Sequence, residues 1–123
     1  MEQLIDRIVA NTGVDRSVAA KAVGIILDFL LKEGPSEKVQ SLVDALPGAT
    51  EAVQAARAES GGGGVFSGMG GIMGVGTRLM GIGLGMDQIR NVTREVIGYA
   101  REKTGDAAVA DIVGAITGLG QFI

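Results

Sequence analysis

The side chains able to do chemistry in this chain are Asp, Glu, Lys, Arg and a single tyrosine, Tyr99; there is no histidine and no cysteine. That removes the commonest general base, the Ser-His and Cys-His nucleophile pairs, disulfides, and thiolate or imidazole metal sites. The remaining spacings are those of ion pairs and caps. Asp28 and Lys32 stand four residues apart on the one polar line of an otherwise apolar segment, the spacing of a pair along one helix face. Asp106 and Asp111 read as a helix cap and a solvated face, while Glu51 and Glu59 flank a short helix without converging. The pattern assigns no catalytic residue, no cofactor and no metal. Arg78 is the outlier, a cation inside an apolar run, whose stem must carry its charge to solvent or to a nearby carboxylate.

The elements that must position these groups are helices. With 123 residues, 46% of them apolar and only four aromatic, the chain can bury one aliphatic core. A net charge of −3 with interspersed signs argues against a nucleic-acid partner, which selects a basic face. The opening MEQLIDRIVANTG alternates charge with apolar residues and does not read as a leader, so a cytoplasmic location is expected. In EQLIDRIVA, Leu4, Ile5, Ile8 and Val9 share a helical face, and Gly13 stops it. Asp15 is placed to cap a second helix that runs to Gly34, where a left-handed exit is expected. Pro35 introduces SEKVQSLVDAL, Pro47 ends it, and Thr50 is placed to cap EAVQAARAE. Later, Asp87 caps QIRNVTREVIGYAREK, Gly105 ends it, Asp106 caps AAVADIVGAIT, and Gly118 closes that helix.

The two halves match. TGVD (12–15) answers LGMD (84–87), and VQSLVDALPG (39–48) answers VADIVGAITG (109–118), so the register shortens between the two matches through two one-residue slips. The expectation is one all-α domain over 1–123, a small helical bundle with pseudo-repeats at about 2–48 and 70–118 and a linker with a short helix at about 49–69. The two long helices differ. Residues 88–103 are amphipathic, whereas 16–33 is apolar almost all round. Ile25, Ile26, Phe29 and Leu30 therefore lie either at the centre of the fold or on a face that a second subunit covers.

Residues 61–86 hold twelve of the 21 glycines and four of the five methionines. No G-x-x-x-x-G-K-[ST] is present, and Met73 stands where a G-x-G-x-x-G beginning at Gly68 needs its third glycine. The run is too glycine-rich, and Arg78 too central, for a convincing membrane span. A flexible tether is expected at Ser60–Gly64 and a helix from about residue 70. There Gly70, Gly74, Thr77, Gly81 and Gly85 put small residues on one face, where a neighbouring backbone can come near. On that expectation alanine at Gly81 overpacks a contact.

The pattern LGMDQIRNVTREVIGYAREKTGDAAVADIVGAI resembles the C-terminal segment of small bacterial proteins of unknown function typified by the VcgC/VcgE proteins. GVDRSVAAKAVGIILDFLLKE and VDALPGA resemble that family's first half, so the likeness runs from about 12 to 118. It departs in the long glycine run. The resemblance implies an all-helical fold and nothing catalytic.

The function expected is non-enzymatic: a structural or interaction protein that self-associates, most simply as a dimer, or binds a protein partner through apolar helix faces. The alternative is a lipid or hydrophobic small-ligand module built on the Gly/Met-rich segment.

Overall fold

The computed structural model describes residues 2–59 and 71–116, and the side chains of residues 59 and 71–74 lie outside that description. Among the described residues all regular structure is helical: α1 (Glu2–Thr12), α2 (Arg16–Glu33), α3 (Ser36–Ala45), α4 (Ala49–Glu59), α5 (Gly71–Gly81), α6 (Met86–Thr104) and α7 (Asp106–Ala115). The all-α expectation holds. The tether at Ser60–Gly64, Gly70 and the closing Gly118 lie outside the described residues.

Helix α2 is the hub. Every residue from Ala22 to Leu30 is buried, because α1, α3, α4, α5 and α6 all pack on it. Ile25, Ile26, Phe29 and Leu30 are therefore core residues of one chain, and the open apolar face that would have called for a second subunit does not exist. The helix that covers it is α4. Its Ala49, Val53 and Ala56 are buried, so this alanine-rich segment is a packed element of the fold and not a linker helix. Alanine suits the place, since small side chains let two helix backbones approach. Gly24 marks the closest approach: a methyl group there would stand 2.8 Å from the carbonyl carbon of Ala52 and 3.3 Å from the Ala56 Cβ. Four-residue small spacing thus does mark a tight contact in this protein, but between α2 and α4.

Helices α2 and α6 begin at 16 and 86, and α3 and α7 begin at 36 and 106, so one interval relates both pairs. The interval recurs at the C-caps of α3 and α7. Leu46 donates its amide to Val43 O and Ile116 to Val113 O, with φ, ψ of −105°, 107° and −107°, 113°. Gly13 and Gly83, the left-handed residues before α2 and α6, stand at the same interval. Buried pairs follow it too: Ala22 and Val92, Ile26 and Val96, Leu27 and Ile97, Phe29 and Tyr99, Val39 and Val109, Leu42 and Ile112. TGVD pairs with the residues two places before LGMD. The spacing still slips by a residue elsewhere: α1 and α5 begin at 2 and 71, and the C-caps of α2 and α6 are Gly34 and Gly105.

Several caps differ from expectation for the same reason. Gly85, and not Asp87, is the N-cap of α6, and the Gln88 side chain accepts the Gly85 amide at 2.9 Å. Gly105, at φ 93°, both ends α6 and precedes α7, so Asp106 is the first helical residue. Asp15 is the N-cap of α2 but makes no side-chain cap bond, and Thr50 lies inside α4. Gly34 leaves α2 at φ −92°, an ordinary extended conformation that its following Pro35 favours.

One buried hydroxyl is dispensable on this geometry. Thr93 donates to Ile89 O at 2.8 Å within α6, a carbonyl that the helix ladder already uses. Val23, which stands in α2 at the spacing that separates the starts of α2 and α6, is also buried. Thr93→Val should leave the melting temperature unchanged or slightly raised, because hydroxyl and methyl occupy similar volume and no acceptor is orphaned. A clear drop in a thermal melt would mean the hydroxyl holds the helix.

Candidate functional site

Asp28 is a fully buried charged side chain, and its carboxylate draws in cations from three helices. Lys32, one turn on in α2, places Nζ 3.2 Å from Oδ2. Arg57, in the last turn of α4, donates Nε–H to Oδ1 at 2.8 Å. Arg78 of α5 donates from Nη1 to Oδ2 at 3.2 Å and from Nη2 to the Ala56 carbonyl at 3.2 Å. That carbonyl belongs to the last turn of α4, so Arg78 bonds the end of one helix while it pairs a buried anion. The outlier cation of the apolar run has its carboxylate, as the chemistry of its stem requires. The Asp28–Lys32 pair is also present as its spacing implied.

Burial opposes the ionised form of Asp28, but the hydrogen bonds from Arg57, Arg78 and Lys32 outweigh it and hold the carboxyl below its ordinary value. A general base near neutral pH needs the opposite shift. The group therefore works as an anchor: it stays charged and ties α2, α4 and α5 together.

Elsewhere the charged groups form surface links. Arg7 pairs with Glu95 at 3.2 Å and with Glu102, and Asn11 donates to Glu95 at 2.7 Å, joining α1 to α6. Arg16 pairs with Asp6, and Lys38 of α3 with Asp111 of α7. Tyr99 is buried, with Arg7 and Lys103 against its ring at 6.0 and 5.3 Å. Among the described residues, no cluster of three His, Cys, Asp or Glu side chains could hold a metal ion.

The small-residue face of α5 points the other way from expectation. Thr77, Gly81 and Gly85 are exposed, and a methyl group on Gly81 would meet nothing within 4 Å; one on Gly85 would meet only the Gln88 side-chain oxygen, at 3.7 Å. Gly74 lies in α5, but its surroundings are outside the described residues. The helix instead buries Val75 and Leu79 against the body of the fold. Apolar side chains win the inward face because each removes surface from water, which glycine cannot do. The exposed α5 positions Thr77, Met80 and Gly81 carry no charge. Met80 of α5 and Met86, the first residue of α6, are 51% and 55% exposed, and Ile82 in the intervening turn is partly buried. Arg90, Arg94 and Arg101 continue along the exposed side of α6.

Sequence pattern singles out Lys32, Asp28 and Arg78 but misses Arg57. Nothing in EAVQAARAE distinguishes Arg57 from a solvated arginine, and only the docking of α4 on Gly24 brings it to Asp28. No family model, curated protein or solved structure matches the chain. Among the described residues, no helix is long and apolar enough to cross a membrane.

Proposed function

We propose that this chain is a non-enzymatic helical interaction protein, built from a duplicated three-helix unit, that associates with a second copy or a protein partner through the α5–α6 corner. The observation that carries the reading is the exposure of two large apolar side chains, Met80 and Met86, on either side of the α5–α6 turn, with the partly buried Ile82 between them in sequence. Methionine is adaptable in contact, and an apolar centre flanked by arginines, here Arg90 and Arg94, is the usual composition of a protein interface. The equal spacing of α2 to α6 and of α3 to α7 supports the duplication, with α1–α3 answering α5–α7 and α4 added on one side. The anchored Asp28, its carboxyl held below the ordinary value by its cationic partners, supports a structural role for the cluster around it. The reading keeps a cytoplasmic location and the likeness to the VcgC/VcgE-type proteins.

Sedimentation from micromolar to several hundred micromolar protein tests it. A mass that rises with concentration, and returns to monomer in Met80→Lys/Met86→Lys at unchanged helicity, is the expected result. A constant monomer mass in the parent chain removes the self-association half. The second reading, an apolar-ligand or lipid-contact module, uses the same two methionines. Binding of neutral lipid vesicles that the double variant abolishes, with a monomeric parent, would favour it instead.

A further inference from the structure

We infer that the cationic rim over Asp28 is a binding site for a tetrahedral oxyanion of the phosphate class. Three cations, Lys32, Arg57 and Arg78, converge on this one carboxylate. The four groups together hold two positive charges in excess, inside a chain whose net charge is −3. Lys32 Nζ and Arg78 Nη1 both contact Oδ2 at 3.2 Å, so these like charges lie no further apart than twice that distance. Crowding of this kind favours a second anion.

The donors for it are already in place. Arg57 gives only its Nε–H to Asp28, which leaves the paired terminal N–H groups of the guanidinium for another acceptor. Lys32 has three N–H donors and one partner. Both side chains are half exposed, 52% for Arg57 and 61% for Lys32, while the carboxylate that gathers them is completely buried. Lys32 and Arg57 are thus held from beneath by Asp28 while their outer donors remain half exposed. A guanidinium fork beside an ammonium suits an anion with several oxygens better than a halide. A phosphate monoester carries about −1.5 to −2 at neutral pH, which matches the excess. The site lies on α2, α4 and α5 around Asp28, and it does not depend on the interface assigned to Met80 and Met86.

Thermal melts at pH 7 in sodium phosphate, sodium sulfate and sodium chloride at matched ionic strength test the assignment, because an anion that binds only the folded chain raises its melting temperature. A saturable rise in phosphate over chloride is expected. Arg57→Gln should weaken the apparent affinity at least tenfold, and Lys32→Gln provides the same test should Arg57→Gln fold poorly. Arg101→Gln, at an exposed arginine near the end of α6, should leave the response intact. Equal responses to phosphate and chloride, or an undiminished response in both rim variants, would overturn the site. Sedimentation with vesicles containing phosphatidic acid distinguishes a lipid headgroup from free phosphate: rim-dependent binding assigns the headgroup, and soluble phosphate binding without it assigns the free anion.

Discussion

Alanine at Gly24 should lower the melting temperature, and valine should lower it further. In an exposed helix interior, glycine to alanine is worth about 1 kcal/mol of stabilisation. At Gly24 the new methyl would stand 2.8 Å from the Ala52 carbonyl carbon, and that neighbour is helix backbone and cannot rotate aside. Helix α4 must move outward, loosening Ala49, Val53 and Ala56 and drawing Arg57 away from Asp28. Overpacking of this kind costs about 1–3 kcal/mol, the upper part of which exceeds the propensity gain. Gly76 is the control. It lies within α5 with nothing inside 4 Å of a methyl group, so Gly76→Ala should raise stability by about 1 kcal/mol. Gly81→Ala should shift in the same direction, and by less, because Gly81 is the last residue of its helix. Opposite signs at 24 and 76 in thermal melts are the expected pattern. A rise at both positions would mean that α4 does not dock as described.

Removing the charge of Asp28 should have a comparably large effect, with a pH signature of its own. Breaking a buried pair by deleting one partner costs about 3–5 kcal/mol when the orphaned charges stay dry. Here Lys32 and Arg57 reach water, so Asp28→Asn belongs at or below the lower end of that range. Burial opposes the ionised form and the three cationic hydrogen bonds override it, leaving the folded carboxyl more acidic than the unfolded one. The stability that it contributes is therefore complete above the unfolded value, about 3.9, and is lost as pH falls through the lower folded value. Denaturant unfolding between pH 7 and pH 2 should show the parent losing stability faster than Asp28→Asn once below about pH 4. Parallel curves would show that the carboxylate is not held ionised by its partners.

Much of the helical framework was legible in the residues. Gly13 and Gly105 punctuate the chain by adopting φ of 74° and 93°, which other residues avoid, and Pro47 follows α3 as a stop. The apolar stripes at Leu4 and Ile8, and at Ile89, Val92 and Val96, are buried as their helical period implies. The caps were legible only to within a residue or two. Asp87 and Asp106 are good cap formers, but nearby glycines just before them take the cap positions.

Sequence alone determined that this chain is helical, roughly where each helix starts and stops, and that Arg78 needed a carboxylate or solvent for its charge. Those properties rest on backbone conformation, the period of apolar side chains and the cost of an unpaired charge, all of which act over a few residues. Tertiary structure decided which small residues are packed and which are open. A missing side chain fits a close neighbour or bare solvent equally well, so Gly24 and Gly81 read alike until α4 is seen to lie on one and nothing on the other. It also decided that α2 is covered within one chain, because the helix that covers it carries mostly alanine and shows too weak a stripe to announce its partner. Arg57 and Arg78 meet Asp28 across 29 and 50 residues of sequence, distances over which no local pattern carries information.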